Sequence, residues 1–218
     1  MNIFRFLGDM SHILSFVILL LKIVQGKSAA GISLRTQELY AIVFCSRYLD
    51  LFWNFSSMYN SFLKIVFIGC SCSIVYIIRF KSPQKETWNP ELDNFPVQYL
   101  LGPCALVGLV INQDHYSPFE MVWAFSIYLE AVAILPQLFL LQKQGEVENL
   151  TSHYVAALGA YRGLYLINWI YRYMTEDDYV QRIVWFAGIV QTGLYIDFFY
   201  HYYQSKRGGL NRPVKLPV

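Results

Sequence analysis

The chain has 218 residues, of which 56% are hydrophobic and 15% are charged, and its formal net charge is +2. A water-soluble domain of this size carries far more charge on its surface, so the composition indicates an integral membrane protein. The small net charge also excludes a nucleic-acid-binding surface. The four cysteines lack the spacing of zinc sites, and we expect neither a metal nor any other cofactor.

Apolar stretches long enough to cross a hydrocarbon core of roughly 30 Å recur along the chain. We predict seven transmembrane helices, near residues 3 to 24, 36 to 54, 60 to 80, 96 to 113, 118 to 142, 151 to 174 and 181 to 203. Pro136 and Gln137 lie inside the fifth stretch, where a proline opens the backbone hydrogen-bond ladder and kinks the helix. The expected fold is all-α, with one membrane domain, residues 1–203, and a basic tail, residues 204–218.

The lysines and arginines between the spans predict the orientation. Only Arg5, Lys64 and Arg182 lie near one side of the membrane. The first, third and fifth connectors and the tail hold Lys22, Lys27, Arg35, Arg79, Lys81, Lys85, Lys143, Lys206, Arg207, Arg212 and Lys215. By the positive-inside rule, the C-terminus faces the cytosol and the N-terminus faces the lumen or the exterior. An odd number of spans agrees with this orientation.

Ionisable side chains are numerous inside the predicted spans, although each costs at least roughly 2.5 to 3.5 kcal/mol to insert. Arg5, Asp9 and His12 share one face of the first helix, because they are spaced by four and three residues. The second span holds Arg47, Tyr48 and Asp50, the fifth Glu120, Trp123 and Glu130, and the seventh Asp197. Each of these ionisable groups needs a partner or a cavity.

The sixth span carries a polar and aromatic stripe. Its residues recur at helical steps of three and four and are Tyr161, Arg162, Tyr165, Asn168, Trp169 and Arg172. Such a stripe makes a poor surface toward lipid and a good cavity wall.

Two explanations of the buried charges compete. The charges could simply pair with one another as static contacts, for instance Arg162 with Glu130 and Arg47 with Asp50. However, apolar residues in place of such pairs usually cost no stability. Four arginines inside one small bundle therefore favour a cavity that binds a small anionic ligand.

Several sequence strings match a known family in order across nearly the whole length. They include MNIFRFLGDMSH, RYLDLF, SPFEMVWAFSIYLEAVAILPQLFLL, YRGLYLINWIYRY, AGIVQTGLYIDFFYHYY and the terminal KLPV. On these strings the chain resembles the endoplasmic-reticulum retention-signal receptors, the KDEL/HDEL receptor family. The resemblance implies a seven-helix fold similar to PQ-loop and SWEET transporters, with two three-helix bundles around a cavity open to the lumen. It also implies a receptor, not an enzyme, in the membranes of the endoplasmic reticulum, the cis-Golgi and COPI vesicles.

The implied ligand is the C-terminal tetrapeptide of escaped endoplasmic-reticulum proteins, with Lys or His first, then Asp, Glu and Leu. The resemblance further implies binding in the acidic Golgi, return by the COPI coat and release at neutral pH. The three negative groups of the peptide match in number three arginines that are not obviously committed elsewhere. By analogy with the family, Arg47 and Tyr48 take the terminal carboxylate, Arg5 the Glu side chain and Arg172 the Asp side chain.

The resemblance assigns roles to further residues. The basic first residue of the signal meets Asp50 or Glu120 and the ring of Trp169, while Trp123, Tyr165 and Asn168 line the path. His12 resembles the pH sensor of the family, which bonds Tyr161 when protonated, in a network with Arg162 and Glu130. The residues expected to serve transport and coat binding are Asp197, Lys206 and Arg207.

The strongest rival is a PQ-loop-type small-solute transporter. Such a protein would carry a Pro-Gln hinge or an equivalent in both halves, whereas Pro136-Gln137 occurs in one half only, and sugar sites seldom need several arginines. An intramembrane enzyme is less favoured still, because Asp9, Ser11 and His12 do not make a persuasive nucleophile and base.

Overall fold

The computed structural model describes residues 2–52, 57–176, 181–209 and 212–217, and helices make up most of them. In chain order the helices are α1 Ile3–Leu20, α2 Leu34–Arg47, α3 Met58–Phe80, α4 Gln84–Thr87, α5 Gln98–Val110, α6 Pro118–Val132, α7 Leu135–Gln144, α8 Asn149–Thr175, α9 Arg182–Leu194 and α10 Ile196–Lys206. A π-helical turn, Leu21–Gln25, follows α1, and a 3-10 turn, Leu49–Phe52, follows α2. Two short strands, β1 Glu146–Val147 and β2 Val214–Lys215, complete the described structure.

Side-chain caps set where several of these helices begin. Asn2, Ser33, Ser57 and Ser117 each accept a hydrogen bond from the backbone N–H three residues later. A cap of this kind satisfies an N–H that has no partner within the helix and contributes about 1 kcal/mol. The caps of α1, α3 and α6 therefore lock the register of the first turns, which carry candidate site residues.

The described residues contain helix in each of the seven regions predicted to span the membrane. Three described helical stretches are long and apolar enough to cross it: Ile3–Gln25, Met58–Phe80 and Pro118–Gln144. A fourth is added if α9 and α10, which meet at a bend of 41°, form one broken span. The membrane character of the fold is thus supported, and the full count of seven stays a prediction.

Two predicted spans are interrupted. The continuous helix predicted for residues 36 to 54 is wrong, because α2 ends at Arg47, a 3-10 turn follows, and residues 53 and 54 lie outside the described residues. The predicted opening at Pro136 is confirmed, because α6 ends at Val132 and α7 begins at Leu135. A proline lacks the N–H that would continue the ladder.

Gln137 fills the gap that this interruption leaves. Its side chain accepts a hydrogen bond from the Ser33 N–H at 2.9 Å and donates one to the Gly31 carbonyl at 2.8 Å. Its own N–H donates to the hydroxyl of Thr36 at 2.9 Å. The break in the fifth span is thereby tied to the start of α2.

The helices pack so that charged residues from several elements meet inside the bundle. Helix α1 lies along α8, α2 packs between α3 and α6, and α9 contacts both α6 and α8. Gly8 permits the close contact of α1 with α8, because a Cβ at this position would lie 2.7 Å from the ring of Tyr165. The residues of α1, α2, α6 and α8 can therefore form one site.

The tail folds back onto the bundle. Strand β2 pairs antiparallel with β1, and the Leu216 N–H donates to the Gly145 carbonyl at 2.8 Å. Val214 is fully buried, and α10 itself continues through Lys206. Residues 204 to 206, which the sequence predicts to lie in the tail, are therefore helical. The predicted all-α fold also contains a two-stranded antiparallel ribbon.

Candidate functional site

One buried carboxylate joins three helices at the centre of the bundle. Glu130 on α6, which is 2% exposed, forms ion pairs with Arg47 at the end of α2 and with Arg162 on α8. The hydroxyl of Tyr161 donates to the same carboxylate and accepts from Arg162 at 2.6 Å. A buried carboxylate needs such partners, because an isolated charge in a low-dielectric interior is very costly. We call Arg47, Glu130, Tyr161 and Arg162 the central cluster.

Arg47 also binds the backbone of α6. Its Nη2 donates to the Ser126 carbonyl at 2.8 Å, and its Nε donates to the Ser126 hydroxyl at 3.2 Å. The planar guanidinium thus presents its fork to Glu130 and Ser126 together. The proposed static pair of Arg47 with Asp50 is wrong, whereas that of Arg162 with Glu130 is confirmed.

His12 lies against the central cluster in an aromatic box. Its ring stacks on Tyr161, with centroids 4.0 Å apart and an interplanar angle of 4°, and on Phe67 at 4.5 Å. The side chain is buried, and its Nε2 has no hydrogen-bond partner among the described residues. The expected contact of His12 with Tyr161 is therefore a ring stack here, and the bond expected for the protonated form stays a prediction.

Asp9, one turn before His12, is held by two tyrosines. The hydroxyl of Tyr59 on α3 donates to it at 2.7 Å, and the hydroxyl of Tyr165 on α8 donates to its other oxygen. Hydrogen bonds to both oxygens satisfy a buried carboxylate without a cation. Asp9 therefore links α1, α3 and α8.

Arg5 and Arg172 lie together at one end of the bundle. Arg5 Nη2 donates to the Asn60 side chain at 2.9 Å, and Asn2 bridges to Asn168 at 2.7 Å. Arg172 holds Glu176 with bonds of 2.6 to 2.9 Å.

Those bonds from Arg172 hold the pKa of Glu176 below its ordinary value, because they favour the ionised carboxylate. Glu176 therefore stays ionised and paired with Arg172 at neutral pH.

The three arginines predicted to be uncommitted all have partners in this structure. Arg47 has Glu130, Arg172 has Glu176 and Arg5 has Asn60. Glu130 and Glu176 offer carboxylate oxygens like those of a peptide, and Asn60 offers a neutral amide oxygen. The expectation that these arginines are uncommitted is wrong, and a ligand carboxylate would compete with the internal partners.

Asp50 and Glu120 face another part of the same region. Asp50 pairs with Lys64 at 2.6 Å, and the Lys64 ammonium lies 5.9 Å from the centroid of the Tyr48 ring. Glu120 is in the first turn of α6, where its N–H is capped by Ser117. Two carboxylates and one lysine therefore surround Tyr48.

Three cavities of about 350 to 370 Å³ connect these groups through shared walls. Arg5 lines two of them, and Arg47, Tyr48 and Trp123 also line two. All the predicted ligand-binding residues line at least one: Arg5, Arg47, Tyr48, Asp50, Glu120, Trp123, Tyr165, Asn168, Trp169 and Arg172. The middle cavity also contains His12, Glu130, Tyr161 and Arg162. The sequence-predicted residues are thus brought into one continuous region, which we call the binding region.

The predicted transport residues lie away from this region, on α10 and just beyond it. Lys206 donates to the Asn149 side chain at 2.6 Å and to the Arg212 carbonyl at 2.5 Å. Arg207 lies over the ring of Tyr203, and Asp197 is exposed, with His201 at 3.7 Å. None of these residues lines the binding region.

Sequence reasoning missed several partners in the site. Glu176 lies four residues after Arg172, which is helical pairing distance, so spacing alone could have identified it. Sequence spacing could not identify three other partners, Tyr59, Asn60 and Ser126. They contact residues from distant parts of the chain.

The comparisons with known proteins agree on one family. The profile of the family described as ER lumen protein retaining receptor matches residues 28–172. The chain is 57% identical over 218 residues to ER lumen protein-retaining receptor A of Arabidopsis thaliana, with 100% of both chains covered. It is 54% identical over 202 residues to the ER lumen protein-retaining receptor of Drosophila melanogaster, with 93% of each covered.

A similar protein from Plasmodium falciparum, also named ER lumen protein-retaining receptor, is 50% identical over 208 residues, with 94% of each chain covered. These relatives are receptors, which agrees with the expectation that the chain is not an enzyme. A profile match over most of the chain and 57% identity along its full length establish the relationship, and the chain belongs to the ER lumen protein retaining receptor family.

Proposed function

We propose that this receptor binds the C-terminal Lys/His-Asp-Glu-Leu signal of escaped endoplasmic-reticulum proteins and returns them from the acidic Golgi. The observation that carries the proposal is the state of Arg5, Arg47 and Arg172. Each arginine lines the binding region and is already held by an internal oxygen acceptor. A peptide with three carboxylates would exchange its own oxygens for these acceptors.

The terminal carboxylate of the signal is assigned to Arg47 and Tyr48. It would displace Glu130 from Arg47, while Glu130 keeps its contacts with Arg162 and Tyr161. The displaced carboxylate is thereby not stranded, which matters because an unpaired buried charge costs several kcal/mol, of order 3 to 5. The ion pair between Arg47 and Glu130 could therefore open without leaving Glu130 unpaired.

The two acidic side chains of the signal are assigned to the remaining arginines. The Asp side chain would replace Glu176 at Arg172, and the Glu side chain would replace the neutral Asn60 at Arg5. A carboxylate binds a guanidinium more strongly than an amide oxygen does, because the hydrogen bond is charge-assisted. Asn168, Trp123 and Tyr165 would then line the peptide backbone.

The first residue of the signal carries a positive charge and would compete with Lys64 for Asp50. Glu120 lies on the wall of the same cavity and offers a second carboxylate. Trp169 lines the adjoining cavity and presents an aromatic ring to the charge. These residues would favour Lys or His at this position over a neutral residue.

Charge balance around His12 supports tighter binding at acidic pH. The charged groups that line its cavity are Glu130, which is negative when ionised, and Arg5, Arg47 and Arg162, which are positive. Asp9 lies behind this wall, where it is bonded to Tyr165. A peptide carboxylate at Arg47 adds one negative charge, and a proton on His12 adds one compensating positive charge. Binding and protonation therefore favour each other, so affinity rises as pH falls through the titration of His12.

The same proposal includes the topology and the route. Seven spans would put the two chain ends on opposite sides, and the positive-inside rule would put the C-terminus in the cytosol. The packing of α2 with α6 and of α1 with α8 is compatible with two three-helix bundles of the PQ-loop type. The cytosolic end would then present Asp197, Lys206 and Arg207 for COPI-dependent return from the cis-Golgi to the endoplasmic reticulum. Asp197 is exposed in the first turn of α10, and Lys206 and Arg207 lie at the other end of this helix, so these side chains would supply charge for coat contact.

The test is binding of a fluorescent tetrapeptide to the purified receptor, measured with a free carboxylate and with an amidated C-terminus. We expect the free acid to bind and the amide to bind at least about tenfold more weakly, because the amide leaves Arg47 without a matching charge. Equal affinity for the two peptides would rule out the assignment of the terminal carboxylate to Arg47.

A further inference from the structure

A second charged cavity lies at the opposite ends of the helices that carry part of the binding region. Its volume is about 480 Å³, and its lining residues are Leu34, Arg35, Glu38, Arg79, Phe80, Lys85, Trp88 and Pro90. Helix α2 supplies Arg35 in its first turn and Arg47 in its last, so the two sites are separated by the length of that helix. We call this second site the basic cavity.

The basic cavity has an excess of positive charge. Arg35, Arg79 and Lys85 face a single lining carboxylate, Glu38, which pairs with Arg79 at 2.5 Å. Arg35 and Lys85 form no ion pair within the described part of the chain. The Nε of Arg35 is buried and has no hydrogen-bond partner among the described residues. A group with two negative charges would balance the cavity and satisfy this donor.

The nearest buried carboxylate, Asp93, does not line the cavity and lies behind its wall. Asp93 accepts from the Ser33 hydroxyl at 2.6 Å, from the Arg35 backbone N–H at 3.2 Å and from the Trp88 indole at 3.0 Å. These bonds hold the connector between α3 and α5 against the start of α2. They also fix the orientation of the Trp88 ring.

The short helix α4, which carries Lys85, is anchored independently. Gln84 donates to the Ile23 carbonyl at 3.1 Å, and the Thr87 hydroxyl accepts from the Ala29 N–H at 2.8 Å. The walls of the basic cavity are therefore built before any ligand arrives, which lowers the entropy cost of binding.

The position of the cavity points to a lipid. Phe80 is the last residue of α3, which is one of the described stretches long enough to cross a membrane, and it is 64% exposed. An exposed aromatic ring at the end of a span marks the boundary between lipid and water. Basic pockets between transmembrane helices at this boundary bind anionic lipid headgroups. The cavity is many times the roughly 30 Å³ that one water occupies in the liquid, so a sugar-sized headgroup has room.

We propose that the basic cavity binds the headgroup of a phosphoinositide, with its phosphomonoester at Arg35 and Lys85 and its acyl chains passing Phe80. A phosphomonoester carries close to two negative charges at neutral pH, which matches the excess charge of the cavity. This site is independent of the signal peptide, so it stands or falls separately from the proposed function.

The test measures binding of dioctanoyl phosphatidylinositol monophosphate to the purified full chain in a neutral detergent. Dioctanoyl phosphatidylinositol and inorganic phosphate are the comparison ligands. Arg35→Gln and Lys85→Gln remove charge from the cavity, while Lys27→Gln and Lys81→Gln remove charge from exposed positions near the same end of the bundle but outside its lining. The midpoint of thermal unfolding of each variant without lipid checks that the fold is retained.

We expect Arg35→Gln and Lys85→Gln each to weaken lipid binding roughly fivefold, and the two control changes to alter it less than twofold. The unphosphorylated lipid and inorganic phosphate should both bind at least about tenfold more weakly. Equal losses in all four variants would show a general surface-charge effect and overturn the proposal. Equal binding of either comparison ligand would overturn it as well.

Discussion

At the scale of single residues, the arginines of the binding region are paired with acceptors of the protein itself. Glu130 and Glu176 are carboxylates of the protein, and they stand where the proposal puts carboxylates of the signal. Under the proposed function, binding would be an exchange of partners whose net free energy is the difference between two sets of similar contacts. Substitutions of these residues should therefore change the affinity for the peptide.

Arg47→Lys keeps the positive charge but loses the planar fork that holds Glu130 and Ser126 together. We expect peptide affinity to fall at least about tenfold, which corresponds to roughly 1.4 kcal/mol. Fluorescence polarisation with the free-acid tetrapeptide measures it, and Arg79→Lys at the other end of the bundle serves as the matched control. Near-normal affinity of Arg47→Lys would refute the bidentate contact.

Glu176→Ala removes the internal competitor at Arg172, so the peptide should bind about twofold to fivefold more tightly, as expected for loss of one exposed ion pair. The same titration with a peptide carrying Asn in place of Asp should show no gain. Glu91→Ala, at an exposed position far along the chain, is the control. Weaker binding by Glu176→Ala would contradict the exchange of partners.

The proposed pH dependence of binding is assigned to His12. Glu176 does not contribute, because its pKa lies below its ordinary value and it stays ionised between about pH 5.5 and 7.5. Peptide titration over this range should show affinity rising as pH falls in the natural protein. His12→Ala and His12→Phe should both give a flat profile, the second without leaving a cavity in the aromatic box. A pH dependence retained in both variants would exclude His12 as the sensor.

At the scale of elements, the break between α6 and α7 depends on Gln137 as much as on Pro136. The proline opens the ladder, and the glutamine side chain then pairs with the backbone of Gly31 and Ser33. The sequence predicts the opening, because proline has a local effect. It does not predict the partners, because they lie more than a hundred residues away.

Gln137→Ala should therefore destabilise the receptor by roughly 1 to 3 kcal/mol, since it leaves buried backbone groups of Gly31 and Ser33 without partners. The change is measured as a lower thermal unfolding midpoint in detergent. Gln142→Ala, at an exposed position on α7, should leave the midpoint within experimental scatter. Similar midpoints for the two variants would mean that these bonds are replaced on mutation.

The same division holds for the candidate site. Cavity-facing residues on one helix, such as Arg5, Asp9 and His12, follow from helical spacing and from the cost of burying charge. Which residue meets which does not follow, because Arg47 pairs with a side chain 83 positions away and not with its neighbour Asp50. The sequence of a membrane protein therefore predicts which charged residues are buried. Which of them pair with each other depends on how the helices pack.

At the scale of the whole molecule, each region predicted to span the membrane contains helix among the described residues. Helix α8 is long enough to span a membrane, but its hydropathy is too low for it to count as a candidate span. Its polar residues face the binding region, and this explains the low hydropathy. The proposed topology places the two chain ends on opposite sides. A glycan acceptor added at the N-terminus should be modified in microsomes, and one added at the C-terminus should not. Modification at both ends, or only at the C-terminus, would overturn the topology.

If the signal binds as proposed, the internal partners of Arg47 and Arg172 would set the minimum number of contacts that a bound protein terminus must make. A chain terminus with only one suitable carboxylate would replace only one of these partners. Its binding free energy would be small, because one ion pair is exchanged for a similar one. Proteins whose last residues only resemble the signal would then bind weakly, because Glu130 and Glu176 compete with their carboxylates for the arginines. Discrimination in such a site would arise from the internal ion pairs that a ligand has to replace, and the same three arginines without internal partners would bind a wider range of chain termini.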